Sequence, residues 1–522
     1  MTENGAPLLA NDPHLGIQMP SIWYEIGLHC YPVTDECPYD VVGFALPATP
    51  AVIIGHNNDI AWGVTNVGAD VQDLYSLEIN PDNPTQYRWE GEWRDMTVRE
   101  ELINFGDGEA PVTIQVRVTH LGPIINDNRY DSETGEIAGW NSEDPLVLRW
   151  TGLDDGTLYK SVLRLNVATN WDEFRAALAY WNVPAQNFVY ADTSGNIGYQ
   201  TPGSMPIRPG DRDGRFPTLA TGEADVWQGY IPFDLLPRIL NPERNYIVTA
   251  NQAVVPPDYY AQLEEALGAD NFYELGYSWD YGYRGERINE LIDQLKSHTP
   301  NTYQQIQGDN LNVNAREIVP FLGGLQFTAQ STTEARDYLL TWDFQMQRDS
   351  GQAALYAVFN VRLLATLFND QLPEDLRANT GDLYSASRLM NDPENVWWDD
   401  ASTADVVETR DDILIRAFDE AVQELVRRQG NNPAEWNWGA LHTATWESNP
   451  LGLSGIDLIE DMVNRGPYPV DGGGGIVNAT SWGVDYAGGE VDATFTVRAL
   501  PSMRMILDVT NWENSRSIHT TG

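Results

Sequence analysis

Asp70-Val71-Gln72-Asp73 sets two carboxylates three residues apart with a backbone carbonyl between them, the all-oxygen donor set that suits a hard divalent cation. The same spacing occurs in ordinary polar loops. Cys30 and Cys37 lie seven residues apart in the loop LHCYPVTDECPYD, with no His or third Cys at ligand spacing, so the pair does not read as a zinc site. A small surface disulfide and two free thiols both stay open. His14, in DPHLG, and His56, in GHNN, are lone imidazoles of the kind that more often serve structure than catalysis. Taken alone, Asn251 reads as a turn residue capping a strand, and Arg284, in GYRGER, as the partner of a neighbouring acid such as Glu286. The 18 Trp and 24 Tyr with abundant Asp would also suit a carbohydrate-active cleft. That reading needs two facing carboxylates, and spacing singles out no such pair.

The elements that must position these residues alternate in period. Residues 1 to about 130 read as short strands (APLLA, YDVVGFALP, AVIIG, DIAWGVT, VTIQVRVTH) bounded by Gly, Pro, Asn and Asp. A helical pattern fills about 157–186 and is followed by NFVYADTSGNIGYQ, in which Ser194-Gly195-Asn196 supplies a hairpin turn. The Gly-, Pro-, Asp- and Arg-rich stretch 202–217 is a structured but irregular connection. From 284 to 430 the apolar period changes to that of helices, as in RGERINELIDQLK and DDILIRAFDEAVQELVRR. After Gly472–Gly475 alternation resumes to the end. Strands at both ends around a helical stretch predict one sheet system built from both ends of the chain.

Composition narrows the class of partner. With 522 residues, 42% hydrophobic and 11% aromatic, the chain can bury one large core or several ordinary ones. The formal charge of −45, from 76 acidic and 31 basic residues, repels phosphate, so neither nucleic acid nor an anionic membrane fits. Only Lys160 and Lys296 among the bases are lysine, and the acids are scattered rather than gathered in a tail, as on a solvated and salt-adapted surface. Apolar runs such as Ala51–Ile54 are too short to span a bilayer, and residues 1–20 lack a secretory layout.

Ordered blocks along the chain carry a resemblance: LLANDPHLG (8–16), GHNNDIAWGVTNVGADVQDLY (55–75), ADTSGNIGYQ (191–200), YIVTANQ (246–252), WDYGYRGERI (279–288), WNWGALH (436–442) and VRALPSMRMILDV (497–509). Together they resemble the penicillin acylase family, which includes penicillin, cephalosporin and acyl-homoserine-lactone acylases. The resemblance implies an α+β, N-terminal nucleophile hydrolase αββα sandwich with a helical insertion. The parts would be 1–283, a β-rich catalytic region; 284–430, the insertion; and 431–522, strands returning to the sandwich. It further implies hydrolysis of small N-acyl compounds by an N-terminal serine whose own α-amino group acts as base. Autoproteolysis would expose that serine and release a small α-subunit from the same precursor, and periplasmic or secreted location would follow. LLANDPHLG lies well downstream of the serine in the family but begins here at Leu8. Met1 lacks a hydroxyl and Thr2 lies too near the block, so the nucleophile is expected outside this chain and the chain alone is expected to be inactive.

Matched residue by residue, the resemblance assigns an oxyanion hole to the Asn251 side-chain amide and the Asn66 backbone N–H. His14 would lie against the nucleophile's amino group and hydroxyl. Arg284 would orient Asn251 and the leaving portion of the substrate. Leu15, Trp23 and Ile54 would wall the acyl pocket. One structural calcium would be held by Asp70, the Gln72 carbonyl, Asp73 and the Gly214 carbonyl, with another acid from the small subunit, and no organic cofactor is implied.

Overall fold

The computed structural model describes residues 2–105, 110–131, 134–373, 377, 383–487, 490–492 and 494–520. Met1, weighed above, lies outside them, as do Thr521, Gly522 and part of the YAGGEVDAT stretch.

The strand Ile60–Asn66 shows why the core has layers. Its alternation sends Ile60 and Trp62 to one face and Ala61 to the other. It is central in a seven-stranded sheet that runs, in spatial order, Arg238–Leu240, Ile197–Gln200, Gln186–Asp192, Ile60–Asn66, Ile54–Asn57, Asp40–Ala45 and Tyr24–His29. Neighbours in this sheet are antiparallel. On the first face, Val41, Val52, Ile60, Trp62 and Phe188 pack against Val162, Leu165, Phe174 and Leu178 of the helices Leu158–Leu165 and Trp171–Leu178. These fall where the sequence pattern placed them, and Gly195 (φ +96°) takes the predicted hairpin turn.

On the other face, Phe44, Ile54, Ala61 and Ala191 meet Leu9, Met503, Met505 and Leu507. The latter belong to a second sheet, in which Leu8–Asn11 and Arg516–His519 both pair antiparallel with Met503–Asp508. His14–Gly16 likewise pairs with Val497–Pro501. The two ends of the chain therefore do build one sheet system. Outside this sheet, the helix Pro300–Gln307 lies against Met503–Asp508, with Gln307 Nε2 donating to the Met505 carbonyl at 3.5 Å. Helix, sheet, sheet and helix succeed one another, the layering of an α+β sandwich.

Helices dominate from Tyr283–Gln294 to Arg410–Gln429. Their core is centred on Gly351–Phe368, whose Leu355, Phe359 and Leu363 pack with Leu414, Phe418 and Leu425. Trp438 and Ile476 from beyond that region join the same core. Gly351–Phe368, 18 residues of mean hydropathy 1.2, is long and apolar enough to cross a bilayer, which the sequence reading overlooked. It is 72% buried, so a helix apolar all round is here a core helix. Cys30 and Cys37 are joined as a disulfide at the end of the hairpin Tyr24–His29/Asp40–Ala45.

Candidate active site

A cavity of about 1140 Å³ opens beside the two sheets, and Asn66, Asn251, Arg284, His14, Leu15 and Trp23 all line it. Asn66 ends the strand Ile60–Asn66. Asn251 sits in a tight loop with φ +65°, a left-handed conformation that Asn tolerates better than most residues. Its side-chain Nδ2 donates to the Asn66 carbonyl at 2.7 Å, and its Oδ1 accepts from Arg284 Nη2 at 2.7 Å. The Asn251 carbonyl accepts the Asp280 N–H at 2.8 Å. Arg284 is clasped in turn by Asp280 Oδ2, at 2.9 Å from Nη2 and 3.3 Å from Nε. The amide thus has a fixed orientation: its oxygen is turned to the arginine and its NH₂ toward Asn66. One of its N–H bonds is taken by the Asn66 carbonyl, and the second is available to an oxygen in the cavity.

The partner expected for Arg284 was Glu286, and the structure puts Asp280 there instead. Glu286 is engaged by Arg316 at 3.4 Å. Two positions along a helix points to a different face, whereas Asp280, four before Arg284, can reach it.

His14 is half-buried, and its Nε2, shielded from solvent, has no hydrogen-bond partner among the described residues. Burial, reinforced by Arg284 and Arg504, drives its pKa down to about 3, so the imidazole is neutral. Two residues earlier, Asp12 is half-buried, and desolvation pushes it up to about 7 against the pull of Arg504 and Arg284. Its Oδ2 stands 3.8 Å from Arg504 Nε, too far for a hydrogen bond, while Arg504 Nη2 donates to Asn478 Oδ1 at 2.7 Å. Sequence reasoning missed this pair because its members lie at opposite ends of the chain, and only the shared sheet brings them together.

Trp23 is buried and donates from Nε1 to Ser502 Oγ at 2.8 Å. Ile54 departs from expectation. It is fully buried between the sheets, and it is the preceding Ile53 that lines the cavity. His56 stacks on Trp512 with ring centroids 4.1 Å apart and its Nδ1 meets the Asn57 carbonyl, a structural role.

Asp70, Asp73 and Gly214 converge as the calcium expectation requires, but an arginine stands among them. Arg208, 1% exposed, donates Nε to both Asp73 oxygens at 3.0 and 3.1 Å and Nη2 to Asp73 Oδ1 at 2.7 Å. Its Nη2 is also 3.1 Å from Asp70 Oδ2, and Trp227 Nε1 takes Asp73 Oδ2 at 2.8 Å. A Cβ on Gly214 (φ +77°) would fall 2.5 Å from Arg208 Nε and 2.7 Å from Asp73 Oδ1, so only glycine can cap the pair. As they stand, these residues do not fit calcium: the guanidinium supplies the positive charge and consumes the Asp73 oxygens. Among the described residues no group of three metal-ligating side chains is assembled.

A two-sheet sandwich flanked by helices is the fold of the N-terminal nucleophile hydrolases. The fold is similar to that of the thermostable penicillin G acylase of Alcaligenes faecalis, with a TM-score of 0.68 at 23% identity, covering 97% of this chain and 86% of that one. The penicillin amidase family model matches residues 1–522, and the chain belongs to that family. The acyl-homoserine lactone acylase of Pseudomonas aeruginosa is 28% identical over all of this chain and 62% of its own length. Penicillin G acylase of Escherichia coli is 25% identical over 86% of this chain and 53% of its own. The penicillin acylase 2 proenzyme of a Pseudomonas species is 26% identical over 99% of this chain and 61% of its own. The chain thus spans roughly three-fifths of the length of the curated relatives it matches.

Proposed function

We propose that this chain is the oxyanion-binding and acyl-binding part of an amide hydrolase that cleaves small N-acyl compounds into a carboxylic acid and an amine. The carrying observation is the Arg284–Asn251–Asn66 relay, in which the arginine fixes the amide and the amide meets the strand terminus at the cavity. As a carbonyl is attacked, its oxygen gains negative charge, and donors set in advance at that point lower the barrier most. The Asn251 NH₂ and the Asn66 backbone N–H are those donors, with the apolar acyl group directed toward Leu15, Trp23 and Ile53. Neutral His14 orients the nucleophile rather than adding charge to it.

The attacking hydroxyl comes from an N-terminal serine outside residues 1–522, exposed by self-cleavage of a precursor that also yields a small subunit. Three of the cavity's four threonines support this. Thr65 and Thr249 bond each other at 2.9 Å, and Thr2 bonds the Ala6 carbonyl. Neither arrangement pairs a hydroxyl with a base. A periplasmic or secreted setting is supported by the Cys30–Cys37 disulfide. The lack of a base beside these three threonines also favours a second reading, a non-catalytic binding protein on this scaffold.

The two readings separate on one experiment. The gene, extended in frame upstream, is expressed and run on a denaturing gel, and hydrolysis of chromogenic acyl amides is followed. Two chains and turnover are expected. A single uncleaved chain without turnover supports the binding protein, and serine-dependent turnover by residues 1–522 alone would refute the placement of the nucleophile.

A further inference from the structure

The helix Tyr283–Gln294 joins the cavity to the helical region, and its first turn carries the connections on both sides. A first turn is the loosest part of a helix, because its backbone N–H groups have no partner within the helix. Side chains must therefore fix it. Arg284 lines the cavity and holds Asn251 and Asp280. Asp280 Oδ1 accepts the Gly282 N–H at 3.1 Å where the chain enters the helix at φ +95°. Gly285 packs on Gln252, which a Cβ would meet at 3.3 Å, and Gln252 ties the Ala250 N–H at 2.6 Å and the Val248 carbonyl at 3.0 Å. These bonds all reach toward the loop of Asn251. Tyr283 reaches the other way.

The Tyr283 hydroxyl donates to Glu317 Oε2 at 2.9 Å and lies 3.0 Å from Ser387 Oγ and 3.2 Å from Asn314 Nδ2. Asn314 Nδ2 also donates to Ser387 Oγ at 2.9 Å and to the Leu383 carbonyl at 3.1 Å. Its Oδ1 accepts the Tyr356 hydroxyl at 2.6 Å. Tyr283, Asn314, Tyr356 and Ser387 are all buried, and they come from four different helices. The protons have an order. Tyr283 has one to give, the Glu317 carboxylate takes it, and the phenol oxygen is left to accept from Ser387 and Asn314. Hydrogen bonds that run one way polarise each other, and a buried group left unpaired is costly, so the network holds this hydroxyl in one place.

Resting on the assignment of Asn251 as oxyanion donor, we infer that Tyr283 is a positioning residue for the reaction. Through the first turn it sets where Arg284 stands, and through Arg284 it sets the direction in which Asn251 presents its remaining N–H. The helical region is then a brace for the oxyanion hole, connected to it by the side chains of Tyr283, Arg284 and Asn251 in succession.

Tyr283→Phe removes the hydroxyl and keeps the ring, and Tyr356→Phe is its control: it takes one hydroxyl from the same network, but from a helix that does not carry Arg284. Two measurements are made. In residues 1–522 labelled with ¹⁵N-asparagine, the side-chain NH₂ signals of Asn251, assigned by their loss in Asn251→Ala, are followed by NMR. In the serine-bearing product of the extended gene, kcat and KM are measured on a chromogenic acyl amide. Tyr283→Phe should shift or broaden the Asn251 signals and lower kcat by about tenfold with KM little changed, less than the loss of a donor outright. Tyr356→Phe should lower the melting temperature comparably and leave the Asn251 signals and kcat near those of the parent. Asn251 signals unmoved by Tyr283→Phe, or moved as far by Tyr356→Phe, overturn the inference and leave the amide-hydrolase reading standing. Signals that move while kcat holds remove Asn251 from the oxyanion hole, and the inference falls with it. An extended product without turnover fells the hydrolase reading itself, and the positioning role with it.

Discussion

Asn251 shows how little freedom the proposed oxyanion donor retains, since its oxygen, both its chain neighbours' turn and one of its N–H bonds are committed. In the serine-bearing precursor product, Asn251→Ala should therefore lower kcat by about 10²- to 10³-fold with a smaller change in KM. A fall confined to KM would show that the amide binds ground state and transition state alike. His14 and Asp12 make a second case, one of linked protonation. Between pH 4 and 6.5 the unfolded chain protonates His14 and the folded one does not, so this group makes stability rise with pH. Asp12 does the reverse: the folded form holds a proton up to about 7 that the unfolded form has released above 4, so its contribution falls with pH. The two slopes nearly cancel. Asp12→Asn should leave the His14 slope exposed, with denaturant stability rising on the order of a few kcal/mol from pH 4 to 6.5. A flat profile in that variant would disprove the assignment. Arg208 is the third. Arg208→Met strands two carboxylates, one of them buried, and should cost about 3–5 kcal/mol in urea unfolding, while a chelator should leave the melting temperature of the parent chain unmoved.

At the scale of elements, Asn11 stitches the two sheets together. Its Oδ1 accepts the Val64 N–H at 2.8 Å and its Nδ2 donates to the Val64 carbonyl at 2.9 Å, so the strand Leu8–Asn11 is tied to the strand that ends in Asn66. A Cβ on Gly63 would sit 2.9 Å from Asn11 Oδ1, which keeps that neighbour a glycine. Asn11→Leu leaves both Val64 groups unsatisfied and should destabilise by about 2–5 kcal/mol, read as a lowered urea midpoint with an unchanged m-value. This stitch explains what was legible beforehand. Strand periods, the helices at 158–178 and the hairpin at Ser194-Gly195-Asn196 are local, and the sequence states them locally. Asn66, Asn251 and Arg284 were found because their ordered blocks resemble a family, and the cavity gathers all three. Asp280, Arg208 and Arg504 were not found, because each acts through a contact that only tertiary packing creates. Ile54 was misplaced by one residue, and one residue along a strand exchanges a cavity wall for the core.

The whole molecule carries a charge of −45 with two lysines against 29 arginines, since 31 basic residues include only Lys160 and Lys296. Arginine makes the salt bridges that the fold relies on: Arg117 is buried against Asp127 at 2.7 Å, and Arg287 joins Asp309 and Glu290. Many of the bases are thereby absorbed, and the surplus acids are left on the surface to repel one another. That repulsion acts over the Debye length, which shrinks from about 10 Å in 0.1 M salt to about 3 Å in 1 M. Buried pairs such as Arg117–Asp127 are screened far less, so added salt should relieve surface repulsion more than it weakens the bridges. The melting temperature should accordingly rise by about 1–2 °C between 0.1 and 1 M NaCl, the shift that a gain of about 1–2 kcal/mol gives in a chain of this size. Choline chloride at equal ionic strength should reproduce most of the rise if screening is the cause, whereas binding of the small cation would give a rise in NaCl alone. A melting temperature that stays level or falls over the same range in both salts would mean that the acidic surface contributes no net strain to the fold.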